Sequence, residues 1–282
     1  MSKESSPQEH TEQNMTPPSK TSLQILEKAE NFGACLAGIA NIEALKYSPS
    51  HRTYGKLDDY KGVGIKPGDE LRPRQVAWPE SARSVIVIAV HHPEEKPELD
   101  WWQDGYRGGT LGNQILMSIN DKLSTWLDKE KEIKIKKLPY YVEQGGVFFK
   151  DAAVMAGLGC IGKNNLLVTP QFGPRVRLRA MLTSATLAPT GPTKFDPCLD
   201  CGMPCRKTCP QNAFGSKICS AKKTGFPELP ARTGFYSRHL CNLQMELDVA
   251  NSEETPGQEL HAPDRLIRYC RTCEFECPVG KE

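Results

Sequence analysis

The chain of 282 residues contains no run of about 18 or more consecutive apolar residues, the length that a membrane-spanning helix requires. Its first 20 residues are polar and include no apolar segment of the kind found in secretory signal peptides. The excess of one sign of charge is small too: 36 Lys and Arg residues nearly balance 34 Asp and Glu residues, which leaves a net charge of +2. These absences argue against a membrane protein, a secreted protein and a protein that binds nucleic acid through its overall charge. We therefore expect a cytoplasmic protein.

Cysteine is abundant, and its distribution is the most informative feature of the sequence. Nine of the eleven cysteines lie between Cys198 and Cys277. They begin with a C-x2-C-x3-C-x3-C-P run at residues 198–210 and end with a C-x2-C-x3-C-P run at residues 270–278. A cubane iron–sulfur cluster needs four converging thiolates, and short loops bring three of them together. The spacing therefore predicts two 4Fe-4S clusters and the transfer of single electrons.

Disulfides and structural zinc are the alternative interpretations of these cysteines. Disulfides suit small secreted chains, and this sequence shows no secretory signal. Zinc sites also use C-x2-C pairs, but they usually contain two such pairs or added histidines and have no need of a proline after the last ligand. The two C-P endings therefore favour iron–sulfur clusters.

In two-cluster ferredoxins the cysteine before the proline ligates the other cluster, and this crossover rule divides the cysteines here into two sets. The predicted metal ligands are Cys198, Cys201, Cys205 and Cys277 for the first cluster, and Cys209, Cys241, Cys270 and Cys273 for the second. Cys241 is the least secure ligand, because its distance in sequence from Cys270 is much longer than in a simple ferredoxin. Cys219 is its rival, although it has no partner at ligand spacing. Cys219, Cys35 and Cys160 are interpreted as ordinary small apolar side chains.

The sequence predicts an α+β protein with three regions. Residues 1–21 are expected to be a disordered tail, residues 22–190 an α/β catalytic domain, and residues 191–282 a ferredoxin-like domain with two clusters, entered through a Pro-rich linker. Hydrophobic periodicity predicts helices at 22–33 (capped by Ser22), 112–128 and 146–156, and strands at 84–90, 166–169 and 177–182, the last as a possible edge strand. The mixed charge run at 129–137 is interpreted as a solvated helix end followed by a strand.

A glycine-rich segment at residues 156–163 contains the pattern G-x-G-x-x-G at Gly157, Gly159 and Gly162. A dinucleotide-binding fingerprint needs a strand before it and a helix after it, and the predicted order here is reversed. The segment also lacks the spacing of a phosphate-binding Walker loop. One alternative is a simple helix C-cap, which needs one or two glycines. Three glycines followed by Lys163 and Asn164 favour a backbone packed against a large ligand.

The order of these motifs resembles the epoxyqueuosine reductase family. The matching elements are Glu143-Gln144-Gly145, then the segment AGLGCIGKNNLL at 156–167, then the cysteine runs. The family pattern is V-D-T-G, A-G-x-G-W-I-G-K-N, C-x2-C-x2-C-x3-C-P, a lone cysteine before an apolar helix, and C-x2-C-x3-C-P. The resemblance covers roughly residues 23–279, with reductive dehalogenases as more distant relatives. The lone family cysteine falls on Cys241, which favours it over Cys219.

This resemblance implies a nitroreductase-like domain at 22–190 that binds cobalamin, which the clusters of a bacterial-ferredoxin-like domain would reduce. The family's catalytic aspartate falls on Glu143, so Glu143 is the expected proton donor; the alternative is a solvated loop carboxylate. Tyr106 and Tyr141 are the next candidates for the acid. The expected cofactor contacts are Tyr106, Gly157, Gly159, Gly162, Lys163 and Asn164.

The sequence also departs from the family pattern. The first cysteine run has one extra residue, and Cys160 stands where Trp is usual. The family continues past the clusters into a region thought to help hold tRNA, whereas this sequence ends at Glu282. With a net charge of only +2, tRNA is therefore a doubtful substrate. The D-x-H-x-x-G motif of other corrinoid domains is absent, and His91 and His92 are interpreted as ordinary strand-end residues.

The resulting hypothesis is a cobalamin-dependent reductase of a small molecule or a modified nucleoside, supplied with electrons by a donor such as a flavodoxin or ferredoxin. A second hypothesis is a ferredoxin-type electron carrier, or a reductive activator, for a separate corrinoid or flavin protein. A third keeps the enzyme but places a flavin in the cofactor pocket.

Overall fold

The computed structural model describes residues 19–56, 76, 78–103, 106–254 and 265–281, with the backbone alone at Glu143 and Glu254. Most of the predicted tail, residues 1–18, lies outside this range. The strands of the described chain are β1 Leu36–Asn41, β2 Ser84–His91, β3 Trp102–Gln103, β4 Ile135–Lys137, β5 Cys160–Ile161, β6 Leu167–Val168, β7 Val176–Thr183, β8 Glu253–Glu254 and β9 Arg265–Ile267. Its α-helices are α1 Lys20–Asn31, α2 Ile42–Lys46, α3 Pro49–Thr53, α4 Leu111–Lys131, α5 Phe149–Met155, α6 Pro204–Lys207, α7 Ala221–Thr224, α8 Arg238–Ala250 and α9 Thr272–Phe275.

The main sheet is antiparallel and has the strand order β1-β2-β7-β4. Strand β2 lies inside the sheet, and its run of mostly β-branched residues is buried. Because successive side chains point to opposite faces of the sheet, both faces of β2 are covered. Val85, Val87 and Ala89 pack toward α2 and α5. Ile86 and Ile88 pack in a second cluster with residues of α1 and α4. The mixed helix and sheet composition is the one that the sequence predicted.

Several predicted elements differ from the observed ones in ways that have physical reasons. Helix α1 begins at Lys20 and is capped by Ser19, which accepts a hydrogen bond from the Ser22 backbone N–H at 3.1 Å. Ser22, the predicted cap, is instead buried and donates to the Ala188 carbonyl at 3.1 Å. Strand β7 is not an edge strand, because the short charged strand β4 pairs with its outer side.

The cysteine-rich part of the chain contains the 13-residue helix α8 together with short helices and loops, and it joins the main sheet region through a small three-stranded sheet. In that sheet β9 pairs with β3 on one side and with β8 on the other. The Pro-rich linker around Thr190 packs against the main sheet region. The Thr190 hydroxyl Oγ1 donates to the Ala156 carbonyl at 2.6 Å, and the Thr190 backbone N–H donates to the Ile39 carbonyl at 2.9 Å. The two parts therefore share an extensive contact. Among the described helices, none combines the length and the apolar character that a membrane span needs.

Candidate functional site: two cysteine cavities

The eight candidate ligand cysteines line two cavities, with four thiols in each. The first cavity has an empty volume of about 320 Å³ and is lined by Cys198, Cys201, Cys205 and Cys277. The second has an empty volume of about 790 Å³ and is lined by Cys209, Cys241, Cys270 and Cys273. This division is the same as the one that the crossover rule gives. Each cavity therefore takes thiols from both cysteine runs, while their role as ligands stays a prediction.

Short helices and tight turns position these thiols. Cys205 lies in α6, Cys241 in the first turn of α8 and Cys273 in α9. Met203 adopts a left-handed backbone conformation (φ 57°) and its N–H points to Cys201 Sγ at 3.4 Å. The Ala213 N–H points likewise to Cys209 Sγ at 3.3 Å. Backbone donors aimed at sulfur are among the features that tune iron–sulfur clusters.

Burial determines the acid–base properties of several of these thiols. It raises the pKa of Cys205 to about 11, and it also raises the pKa values of Cys273 and Cys277, with neighbouring cysteines adding to the effect. Such thiols stay protonated at neutral pH unless a cation stabilises the thiolate, which a coordinated iron does. In the described ranges, no group of three or more His, Cys, Asp or Glu is arranged to hold a metal ion. The donor set itself, four thiols around each cavity, has the composition that a cubane cluster uses.

The three remaining cysteines do not line either cavity. Cys219 is buried, with its backbone N–H directed to the Gly234 carbonyl at 3.2 Å. Burial raises the pKa of Cys35 and of Cys160 to about 12 in each case. The nearby Cys198 also raises the pKa of Cys160, so Cys160 lies close to the first cavity.

The glycine-rich segment follows α5 and forms the β5–β6 hairpin, so a helix precedes it and a strand follows it, as the sequence indicated. Gly157 and Gly159 are packed against backbone atoms of the protein itself, and Gly162 is packed against side chains. A Cβ on Gly159 would lie 2.1 Å from the Val168 carbonyl oxygen, and one on Gly157 (φ +80°) would lie 2.7 Å from that of Thr190. A Cβ on Gly162 would lie 2.6 Å from Asn164 Oδ1. Packing within the chain is thus a sufficient reason for these glycines, and their contact with a cofactor stays a prediction.

Lys163 and Asn164, also predicted cofactor contacts, lie at the cysteine cavities. Lys163 lines the first cavity, and its carbonyl accepts a hydrogen bond from Arg206 Nε at 2.6 Å. Asn164 is only 3% exposed and lines both cavities. Its Nδ2 donates to the Cys273 carbonyl at 3.2 Å, and its Oδ1 accepts from the Leu166 N–H at 3.2 Å. The end of the glycine segment therefore forms part of the wall between the two cavities.

The expected acid Glu143 and the expected cofactor contact Tyr106 belong to irregular parts of the chain between the main strands and helices. The Glu143 backbone belongs to a single 3₁₀ turn, Val142–Gln144, which Gly145 ends in left-handed geometry (φ 96°). Tyr106 is 36% exposed and its N–H donates to the Gln103 carbonyl at 3.3 Å. The structure does not bring Tyr106 into either cavity, and the roles of both residues stay predictions.

Sequence reasoning missed Lys150, which extends from α5 into the second cavity. Its Nζ donates to the Asn165 carbonyl at 2.5 Å. Burial lowers the pKa of this lysine to about 8, and the charge of Arg238 acts in the same direction. The only sequence signal is a lysine at the start of a helix whose other residues are mostly apolar.

A partly buried ion-pair network, also missed, joins the second cysteine loop to the main sheet region. Arg177 of β7 lies 2.8 Å from Asp100 and 3.0 Å from Glu274. Arg271, between the ligand candidates Cys270 and Cys273, pairs with Asp100 at 2.7 Å and with Glu274. Burial alone would raise the pKa of Asp100. A hydrogen bond with His92 and the positive charges of Arg177 and Arg271 outweigh burial, and the net effect is a lowered pKa. His92, with no exposed surface and Nδ1 2.9 Å from Asp100, belongs to this network.

No protein-family model matches the chain. Epoxyqueuosine reductase of Staphylococcus aureus is 28% identical to it over 260 residues, which are 86% of this chain and 62% of that protein. The corresponding enzyme of Listeria monocytogenes is 29% identical over 208 residues, 71% of this chain and 48% of its relative. Tetrachloroethene reductive dehalogenase of Desulfitobacterium hafniense is 39% identical over 85 residues, 28% of this chain and 15% of that protein. The chain thus spans roughly half to three-fifths of the length of the epoxyqueuosine reductases that it matches.

Solved structures with the same fold come from both groups of proteins. Epoxyqueuosine reductase from Streptococcus thermophilus superposes with a TM-score of 0.56 at 18% identity, covering 92% of this chain and 66% of that chain. An epoxyqueuosine reductase with an epoxyqueuosine-modified tRNA stem loop gives a TM-score of 0.54 at 18% identity, over 93% and 65%. A reductive dehalogenase described as suggesting a mechanism for B12-dependent dehalogenation gives 0.57 at 16% identity, over 97% and 34%. In sequence the chain is epoxyqueuosine reductase-like, and in fold it is similar both to those enzymes and to the reductive dehalogenases.

Proposed function

We propose that the protein is a cobalamin-dependent iron–sulfur reductase related to the epoxyqueuosine reductases. Two 4Fe-4S clusters in the cysteine cavities would supply single electrons, and cobalamin in a nitroreductase-like domain would supply the reducing centre. The observation that carries the proposal is the separation of eight thiols into two cavities of four, in the pattern of a two-cluster ferredoxin. The likeness to B12-dependent enzymes supports the cobalamin.

The chain's own residues have distinct roles in this proposal. The eight cysteines hold the clusters, and Asn164 forms the common wall between them. The ion pairs of Asp100, Arg177 and Glu274 keep the second cysteine loop against the main sheet region. Glu143 occupies the position of the family's acid and would donate a proton to the substrate or leaving group.

The substrate class is a small molecule or a modified nucleoside, and the electrons would come from a small carrier such as a flavodoxin or ferredoxin. A modified nucleoside is supported by the tRNA stem loop bound to one structural relative. Whole tRNA stays a doubtful substrate, because phosphate contacts dominate such affinities and the chain has a net charge of only +2.

Anaerobic reconstitution tests the proposal first through the clusters. We expect about eight iron and eight labile sulfide per chain, since two cubanes each contain four of both. Zinc in place of iron, or iron without labile sulfide, would contradict the proposal. Titration with cobalamin, followed by visible absorbance and by calorimetry, then tests the second cofactor, and flavin is titrated in parallel.

A ferredoxin-type electron carrier is the second candidate function. The observation that favours it is the packing of Gly157 and Gly159 against the chain's own backbone, which removes the need for a large ligand at that segment. The two functions differ in one result: a carrier holds both clusters but gives no spectral change and no heat with cobalamin or flavin.

A further inference from the structure

Lys150 is partly buried in the wall of the second cavity, and a lysine removed from water needs a negative partner. Taking an ammonium group out of water costs several kcal/mol unless an opposite charge compensates for it. The ion pairs of the described residues do not include Lys150. The hydrogen bond that its Nζ donates goes to a neutral main-chain carbonyl, that of Asn165.

The carboxylates near Lys150 already have other partners. Asp151, the next residue, accepts hydrogen bonds from Ser48 Oγ at 2.7 Å and from the Ser50 N–H at 2.8 Å. Glu274, which lines the same cavity, pairs with Arg177 and Arg271. The second cavity also contains Arg238, a further positive charge. Neither carboxylate is therefore dedicated to Lys150.

The groups that remain are the four thiols of the second cavity. Asp151 favours the charged form of Lys150 from outside the cavity, and Cys241 and Cys273 favour it from within the cavity. A 4Fe-4S cluster with four thiolates carries a net negative charge, and that charge grows by one when the cluster accepts an electron. A cation fixed beside it stabilises the reduced state more than the oxidised state.

We propose that Lys150 is a charge-balancing residue of the second cluster and raises its reduction potential. The inference rests on the proposed function, because it requires a cluster at Cys209, Cys241, Cys270 and Cys273. The reaction is a one-electron reduction, in which an electron from a small carrier protein, or from dithionite in the experiment, enters the cluster and no bond is broken. The lysine keeps its proton and is a positioning residue, not a ligand.

The test is an anaerobic redox titration of the reconstituted full chain, followed by electron paramagnetic resonance. Lys150→Met should lower the equilibrium constant for reduction of the second cluster by about tenfold or more. This is the Coulomb effect of a unit charge within about 10 Å at an effective dielectric constant near 20. For a one-electron couple this is about 59 mV or more toward negative potential. Lys150→Arg keeps the charge and should leave the potential close to that of the wild type.

Two further variants serve as controls. Lys207→Met removes an exposed lysine of α6 that lies between Cys205 and Cys209 in sequence, and it should shift neither potential because solvent screens that charge. Cys241→Ser identifies which resonance signal belongs to the second cluster, because that signal alone should disappear.

The outcomes separate this inference from the proposed function. A wild-type chain without two cluster signals would overturn the proposed function whatever Lys150 does. Two wild-type signals with an unchanged potential in Lys150→Met, or with equal shifts in the Met and Arg variants, would overturn the inference alone. Loss of the second cluster from Lys150→Met but not from Lys150→Arg would support it, since the charge is then needed to retain the cluster. Loss from both variants would overturn it.

Discussion

At the scale of single residues, the sequence located the cysteines well and the charged groups around them poorly. The C-P endings and the two- or three-residue spacers are local signals, so the division into two sets could be inferred without a structure. Lys150, Asp100 and Arg177 carry no such local signal. Their roles arise only when α5, β7 and the loop at Arg271 meet in space, which depends on tertiary packing.

Cys241 and Cys219 make a direct test of ligand identity. Cys241 lines the second cavity, whereas Cys219 is buried outside both cavities. Cys241→Ser should therefore reduce the iron content after reconstitution to about half, and Cys219→Ser should leave it unchanged. Iron and sulfide analysis with electron paramagnetic resonance measures both. The opposite result would assign the fourth thiol to Cys219.

Glu143 can be tested by a change that keeps its size and removes its proton. Glu143→Gln should lower turnover by about 10²–10⁴-fold, the usual contribution of general acid catalysis. Glu143→Asp restores the family residue and should recover part of the activity. Reduction of the clusters, followed by absorbance, should be the same in all three proteins because electron delivery does not use this carboxyl. Wild-type turnover in the Gln variant would move the acid to Tyr106 or Tyr141.

At the scale of elements, long periodic segments were predicted with bounds close to the observed ones, whereas some short segments were missed. Strand β2 and helix α4 have many apolar residues at the required spacing, and their predicted bounds are close to the observed Ser84–His91 and Leu111–Lys131. Strand β1 was missed, since Ala and Gly make up half of Leu36–Asn41 and carry little strand preference. The glycine segment was correctly placed between a helix and a strand, but the packing that requires its glycines comes from distant residues such as Thr190.

The β5–β6 hairpin gives a prediction that compares two glycines. A methyl group on Gly159 would lie 2.1 Å from the Val168 carbonyl oxygen, whereas one on Gly202 would have no atom within 4 Å. Gly159→Ala should therefore lower the free energy of unfolding by about 1–3 kcal/mol, the usual cost of overpacking, and Gly202→Ala should change it little. Denaturant unfolding of the reconstituted proteins measures the difference. Equal stability of both variants would mean that the hairpin can open without cost.

At the scale of the whole molecule, the contact between the cysteine-rich part and the main sheet region depends on buried charge. Asp100 is the acid shared by Arg177 and Arg271, and through Arg271 it reaches the loop of Cys270 and Cys273. Removing one member of a fully buried pair costs about 3–5 kcal/mol because the partner loses its compensation, and partial exposure of Arg177 and Asp100 reduces that cost here.

Replacing Asp100 therefore tests how the two parts hold together. Asp100→Asn should destabilise the protein clearly at neutral pH, while Glu253→Gln, which removes an exposed ion pair with Arg268, should have little effect. The pKa of Asp100 is lower in the folded protein than in the unfolded chain, where it is about 4. The charged carboxylate therefore stabilises the fold above about pH 4, and this stabilisation is lost as the pH falls through the pKa of the folded protein. The stability difference between wild type and Asp100→Asn should shrink in that acidic range. A difference independent of pH would contradict the role of the charge.

The interleaving of the two cysteine sets has a consequence for biosynthesis. A growing polypeptide that has reached residue 250 already carries Cys198, Cys201, Cys205, Cys209 and Cys241, yet it contains neither complete set of four. The second set is completed when Cys273 is added and the first only with Cys277. If these two sets hold the clusters, as proposed, neither cluster can be inserted as its own run emerges from the ribosome. Insertion of both would then wait until the second run has folded back onto the first.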